Sequence, residues 1–242
     1  MFYINLLSCI VTCVDGVNIK LKLEPVFCQV SNRLIAMEIL SDLEDGETKI
    51  NPSTFFRDLS DDVYKEVSQL LCNKAKDVLI QCNISHETKL TVNSKVHHLN
   101  DEAYIEFMNR TAAPFKLCIE VNENDLNATS KTMKKGFEIA KNMGVEIWLD
   151  DFGVKSANID VVVYHSFDAI KLDKTIFWKL REDKSKLSNI IALLKGCARM
   201  VIVEGCESNN DVDLVGGLES LCQGYYLNNA SFSEKQSQIN SL

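Results

Sequence analysis

The amino-acid sequence predicts an α/β protein, a single-domain (β/α)8 barrel of the TIM type, on three observations. Short apolar runs of strand length alternate with longer amphipathic stretches almost from end to end. That alternation is the pattern of a parallel sheet with helical cover. The chain has 242 residues, close to the roughly 250 of a typical barrel. No GxGxxG or GxxxxGKS/T loop follows any run, which weighs against the alternative of a doubly wound nucleotide-binding sheet.

The predicted strands are, in order, "IKLKLEPVF", "RLIAMEIL", "DVLIQCN", "FKLCIE", "VEIWLDD", "FDAIKLD", "RMVIVEG" and "LESLCQG". Each is rich in Val, Ile and Leu with few alternating polar residues, as strands buried on both faces are. Helices fill the gaps. "STFFRDLSDDVYKEVSQLLCNKAK" places Val63, Val67, Leu70 and Leu71 on one face. "ATSKTMKKGFEIAKNMG" opens on a Thr/Ser cap and stops at Gly144, and "SKLSNIIALLKGCA" is similar. With 3 prolines, 10 glycines and no low-complexity linker or repeat, one domain is expected. Residues 1–20 read as an N-terminal strand or extension packed on it, 21–230 as the barrel, and 231–242 as a polar tail or closing helix.

Composition narrows the function. At 46% hydrophobic and 25% charged residues, the chain has the balance of a soluble globular protein. A formal charge of −8 argues against direct nucleic-acid binding and against anionic membranes. The apolar opening "MFYINLLSCIVTCV" lacks a basic n-region and a cleavage site and is too short to span a bilayer. No membrane insertion is expected. The 9 cysteines are odd in number, with no CxxC pair, and read as reduced thiols of a cytoplasmic protein.

The polar residues carry the functional signal. Runs end in Asn83, Glu120, Asp150/Asp151, Lys171, Glu204 and Gln223, and Glu38 lies between apolar neighbours in "AMEIL". Each has an ordinary explanation alone: an edge position, an Asx turn, a helix cap. On parallel strands, however, they converge on one rim, where barrel enzymes carry their chemistry. So acidic a cluster repels itself unless it holds divalent cations. His86, His97, His98 and His165 show no ligand spacing and read as surface or structural. Ser85 and Ser156 lack a nearby His–Asp arrangement, which argues against a serine hydrolase.

These residues also fall into a known order. "EIL" (38–40), "NIS" (83–85), "EVNE" (120–123), "DDFG" (150–153), "KLD" (171–173), "EGCE" (204–207) and "QGYYL" (223–227) follow one another as family motifs do. On them the chain resembles the EAL domain, the bacterial cyclic-di-GMP phosphodiesterase module, from about Leu21 onward. The resemblance implies a modified (β/α)8 barrel and hydrolysis of cyclic-di-GMP to linear pGpG. It implies two Mg²⁺ or Mn²⁺ ions, the first held by Glu38, Asn83, Glu120 and Asp150. Asp150 bridges, and Asp151 and Glu204 hold the second. Lys171 orients the attacking water, Gln223 helps fix the second-ion side, and Glu123 supports the loop after DDFG. Glu207, which closes "EGCE", is placed with Glu123 among the loop-supporting or substrate-side positions.

Departures from the family pattern touch the same site. Asp42 stands where a phosphate-contacting arginine is usual, and Glu24 where a glutamine is. The loop after DDFG reads "VKSAN" (154–158) instead of TGYSS; in the family it positions the second ion and contributes to a homodimer contact. Lys155 is a new charge there that partly replaces the lost arginine. Two further readings remain beside the enzyme. One is a catalytically silent relative that binds cyclic-di-GMP or a regulatory protein partner, consistent with Asp42, the altered loop and the missing sensor or GGDEF domain. The other is a different metal-dependent phosphohydrolase on the same scaffold. The complete ligand set favours the enzyme.

Overall fold

The computed structural model describes residues 10–127, 129–154 and 159–230, with 228–230 as backbone alone. The chain opens with a hairpin of β1 (Ile10–Val14) and β2 (Val17–Cys28). Its two-residue turn is Asp15-Gly16, with φ of 50° and 85°. Such Asp-Gly turns match the twist of the flanking strands. There follow β3 (Arg33–Asp45), β4 (Thr48–Ile50), α1 (Pro52–Asp58), α2 (Asp61–Gln81), β5 (Lys89–Asn93), α3 (Glu102–Ala112), β6 (Lys116–Asn122), α4 (Lys131–Asn142) and β7 (Glu146–Phe152). The rest runs α5 (Ile159–Tyr164), β8 (Phe167–Leu172), α6 (Lys174–Leu180), α7 (Lys184–Lys195), β9 (Ala198–Val203), α8 (Asn209–Gly216), β10 (Leu221–Gln223) and α9 (Tyr225–Ala230).

Strands β2, β10, β9, β8, β7, β6, β5 and β3 are neighbours in that order, and a β2–β3 pairing closes the ring. The expected eight-stranded barrel is therefore present, with one change of direction. β3 and β5 through β10 run parallel to one another, whereas β2 is antiparallel to both β3 and β10. A tight turn over residues 29–32 joins β2 to β3, and so short a connection permits only antiparallel pairing. β2 and β3 continue past the ring, pairing from Asn18↔Glu44 down to Glu24↔Glu38. They form a wall on one side of the barrel mouth. Strand β2 also crosses the expected boundary at residue 21, and residues 231–242 lie outside the described residues.

Two predicted elements differ. "DVLIQCN" is not a strand but the last turn of α2 and its cap, where Leu79 continues the buried stripe Val67, Leu71, Cys72, Ala75. A short apolar run reads alike in either structure, and here the 3.6-residue period wins. The strand at this place in the ring is "KLTVN", β5. Helix α2 starts only at Ser60, whose side chain accepts from the Val63 N–H, and Leu70 lies off its buried stripe at 40% exposure. α4 and α7 match expectation, including Ser130 as N-cap and Gly144 at φ 76° as the stop. The eight described cysteines are all free thiols.

Side chains inside the ring stack in layers because alternate residues of each strand face inward. Glu146 forms the floor, accepting from Lys89 Nζ at 2.8 Å and Trp148 Nε1 at 3.1 Å. Above it Trp148, fully buried, packs with Val26, Ala36, Cys118, Ala169 and Ile202. The small Ala36 and Ala169 leave room for the indole. The next inward step along β3, β6, β7, β8 and β9 carries Glu38, Glu120, Asp150, Lys171 and Glu204. The site is the top layer of the barrel.

Candidate active site

Lys171 is the centre of that layer. It is 1% exposed, and its Nζ lies 3.0 Å from Glu38 Oε2, 3.0 Å from Glu120 Oε2, 2.8 Å from Asp150 Oδ1 and 2.9 Å from Glu204 Oε1. Burying an ammonium costs several kcal/mol. At about 3 Å and an effective dielectric of about 20, each carboxylate returns roughly 5 kcal/mol of gross attraction. Four such partners outweigh burial. Burial pulls the lysine down, but Asp150, Glu120, Glu204 and Glu38 raise its pKa well above the ordinary lysine value.

One ammonium does not balance its neighbours. Burial and the negative charge of Glu38 push Glu120 well above the usual carboxylate range. Glu204 is pushed up to about 8 by burial, against Lys171 and with Asp150 and Glu38. Burial and the adjacent Asp150 bring Asp151 to about 6. Glu38 moves down. Burial would raise it, but Lys171, Gln223 and Asn93 together hold it low.

Adjacent residues on a strand normally point to opposite faces, so Asp150 and Asp151 need a local device to act together. β7 supplies one. Its pairing with β8 slips between Leu149 and Phe152, and Asp151 takes a left-handed φ of 57°. Asn122 Nδ2 then donates to Asp151 Oδ2 at 2.6 Å. Gly153, at φ 100°, ends the bulge, and a Cβ there would meet Ile176 Cγ1 at 2.9 Å. Its N–H donates to Glu123 Oε2 at 2.9 Å. As a result one oxygen each of Asp150, Asp151 and Glu204 lies within 4.8 Å of the others.

The geometry suits a hard divalent cation. Glu120 Oε1 and Gln223 Oε1 are buried without a hydrogen-bond donor among the described residues, and Asp150 Oδ1, though 2.8 Å from the Lys171 ammonium, makes no aligned hydrogen bond, although buried oxygens are ordinarily partnered. Oxygen-only donors of this kind are what Mg²⁺ and Mn²⁺ take. A cavity of about 290 Å³ opens over the layer, lined among others by Glu38, Leu40, Phe56, Asn93, Asp150 and Asp151. That is the lower end of small-molecule sites, which run roughly 300–1,000 Å³. A wider cavity of about 900 Å³ shares Asn93, Asn122 and Asp151 with it.

Not every expected residue joins the cluster. Asn83 does not. It follows the end of α2 at φ 53°, exposed, before the strand rather than at its upper end. Its place is taken by Asn93, the last residue of β5, whose Nδ2 donates to Glu38 Oε1 at 3.2 Å. The alternation of Leu90 and Val92 with Thr91 and Asn93 is a strand signal that the sequence reading passed over. Gln223 donates to Glu38 Oε2, so it stands on the Glu38 side of the layer. Asn122 was not anticipated, although it lies two residues beyond Glu120 on the same strand face. Asp42 is exposed on β3 beyond the cavity residues Leu40 and Ser41. Glu24 pairs in register with Glu38 and meets Lys22 at 3.5 Å. Glu207 is exposed and gives its backbone N–H to Asp211. Lys155 and most of the "VKSAN" loop lie outside the described residues.

Comparison with known proteins gives the chain a family. The EAL domain pattern matches residues 13–230. The chain belongs to the EAL domain family. Among EAL relatives, the cyclic di-GMP phosphodiesterase PdeH of Escherichia coli K12 is 24% identical over 220 residues, covering 84% of this chain and 80% of that protein. The protein Rv1354c of Mycobacterium tuberculosis is 27% identical over 133 residues, 52% of this chain. The chain matches only 21% of that relative's length. The EAL domain of FimX from Pseudomonas aeruginosa, solved with c-di-GMP, superposes with a TM-score of 0.69 at 19% identity, over 88% of this chain and 90% of that one. That likeness speaks to the fold. Among the described residues no helix is long and apolar enough to cross a membrane.

Proposed function

We propose that this EAL-family chain is a divalent-metal-dependent phosphodiesterase that hydrolyses cyclic-di-GMP to linear pGpG. The observation that carries this reading is the buried Lys171 ammonium within 3.0 Å of four carboxylates. Counting Asp151, five carboxylates and one ammonium carry −4 when all are ionised, and two Mg²⁺ or Mn²⁺ ions bring that to zero. Glu38, Asn93, Glu120 and Asp150 would hold one ion, and Asp150, Asp151 and Glu204 the other. Bound there, such a pair supplies charge neutralisation and Lewis acidity for an in-line phosphoryl displacement.

This chain's own groups do the rest. Lys171, relieved of its carboxylate partners, donates to the incoming water and holds it toward phosphorus. The water oxygen forms the new P–O bond as one ester P–O bond breaks. The water's proton passes to a carboxylate of the layer, and the departing 3′-oxygen leaves with a proton from solvent. Asn122 and Glu123 hold Asp151 and Gly153 in the bulge that aims both aspartates. Names of relatives such as PdeH and a Pseudomonas aeruginosa cyclic di-GMP phosphodiesterase, RocR, at 28% identity over 116 residues, support the substrate class. A second reading, a protein that binds cyclic-di-GMP without cutting it, is favoured by Asp42, which sets an anion beside the mouth. Incubation with cyclic-di-GMP and Mn²⁺, followed by chromatography, separates the two. Manganese-dependent pGpG is expected; binding without any product would leave the second reading.

A further inference from the structure

Outside the barrel mouth, one more group of ligating side chains converges among the described residues. Asp61 is the first residue of α2, and His97 and His98 lie in the 3-10 turn Val96–Asn100 that follows β5. His97 Nε2 lies 2.8 Å from Asp61 Oδ2, and His98 Nε2 lies 3.2 Å from Asp61 Oδ1. The three ligand atoms all fall within 4.8 Å of one another. We infer that Asp61, His97 and His98 form a separate site for a borderline transition ion of the Zn²⁺ class, tying the start of α2 to the segment after β5.

An ordinary ion pair does not account for His98. It is 1% exposed, packed against the rings of Tyr64 and Tyr104 at 5.1 and 5.7 Å, and neither ring nitrogen makes an aligned hydrogen bond. Buried polar atoms are ordinarily partnered, so such a group calls for a ligand. An ion accepting the Nε2 lone pair partners one nitrogen. Burial lowers the pKa of His98 against the opposing pull of Asp61, a shift toward the neutral imidazole that ligates metals. Two successive residues turning the same nitrogen to one carboxylate is an arrangement that metal coordination rewards.

The donor set chooses the ion. Two imidazoles and a carboxylate suit Zn²⁺ and its neighbours, whereas Mg²⁺ prefers oxygen alone. Three protein ligands leave a fourth position for water, and His97 borders the wider cavity that reaches Asp151. Lys95 stays outside the ligand set. Its Nζ donates to Asp61 Oδ1 at 3.2 Å and to the Leu59 carbonyl at 3.1 Å. With the ion on the other oxygen, that contact holds the carboxylate in orientation. Tyr64, one turn after Asp61, donates to the Asn93 carbonyl at 2.9 Å, so a fixed α2 start also steadies Asn93 at the barrel mouth.

The test uses Co²⁺ as the visible probe and Zn²⁺ for structure. One Co²⁺ bound by the full chain should show the intense d–d absorption of four-coordinate cobalt, distinct from the weak bands of any six-coordinate Co²⁺ at the all-oxygen barrel mouth. Asp150→Asn, which alters only the barrel mouth, should keep that band. His97→Ala and Asp61→Asn, both at exposed positions, should lose it while retaining the native circular dichroism. X-ray absorption of the Zn²⁺-loaded wild type should show two imidazole ligands. Absence of the band in the wild type, its survival in His97→Ala, its loss in Asp150→Asn, or a zinc shell without imidazole each overturns the site.

Discussion

Asp150 Oδ1 lies 2.8 Å from Lys171 Nζ, yet it is a buried oxygen without an aligned hydrogen bond. An ammonium has three protons, and here four carboxylates surround it. One must go without. That surplus acceptor is the structural sign that the layer is built for more positive charge than one lysine brings.

Removing the lysine should therefore expose the conflict. Without divalent ions, Lys171→Ala leaves buried carboxylates unpaired, a change worth about 3–5 kcal/mol. Denaturant unfolding should show the loss in EDTA, and Mn²⁺ should restore more stability to the variant than to the wild type. Turnover should vanish while cyclic-di-GMP binding, measured with Ca²⁺, persists. Equal stability in EDTA would contradict the balance described above.

Asn93 and Asn83 offer a paired test of which asparagine serves the site. Asn93→Ala deletes the donor to Glu38, and hydrogen bonds to charged groups are worth about 1.5–3 kcal/mol. Turnover at limiting substrate should fall roughly ten- to hundredfold. Asn83→Gly, at φ 53°, should keep wild-type turnover and stability, since glycine adopts that conformation freely. The reverse pattern of rates would restore Asn83 as the ligand.

The asparagines also show how much was legible in the sequence. The apolar runs ending in Glu120, Asp150, Lys171, Glu204 and Gln223 are strands, and those side chains do share one layer. Their spacing carried the information because inward-facing residues recur every second position. "DVLIQCN" misled because its apolar residues also continue the helical stripe through Leu71, Ala75 and Leu79. The reversed direction of β2 did leave a trace, since Ile19, Leu21 and Leu23 alternate with Lys20, Lys22 and Glu24, the pattern of an antiparallel strand with one face buried. The bulge at Asp151 depends on pairing with β8 and on Asn122, contacts that no local pattern announces.

Asp42 offers a gain-of-function prediction. The side chain is exposed on the β3 wall beyond Leu40. Asp42→Arg removes an anion and adds a bidentate phosphate donor. A charge-assisted bond of about 1.5–3 kcal/mol should tighten cyclic-di-GMP binding roughly tenfold or more, measured by calorimetry with Ca²⁺. Unchanged binding would assign the weak point elsewhere in the pocket.

The barrel floor makes a pH prediction. Burial alone would raise Glu146, but Lys89, Lys116 and Trp148 outweigh it and bring the carboxyl down to about 2. A depressed folded-state value means stability that is fully present above the unfolded pKa near 4.5 and is lost as pH falls toward 2. A shift of this size corresponds to on the order of 3 kcal/mol, reduced by screening at the exposed Arg199 and Lys116, which lie 3.4 and 2.9 Å from Glu146 Oε1. Urea midpoints between pH 5 and 2.5 should fall more steeply for the wild type than for Glu146→Gln. Parallel slopes would remove Glu146 from the acid response.

The most direct measurement is a crystal structure grown with Mn²⁺ and recorded for anomalous scattering. The account predicts anomalous peaks touching Asp150, one toward Glu38 and Glu120 and one toward Asp151 and Glu204, with Lys171 released from at least one carboxylate. No peak at Asp150, with the Lys171 ammonium still in contact with all four carboxylates, would contradict it.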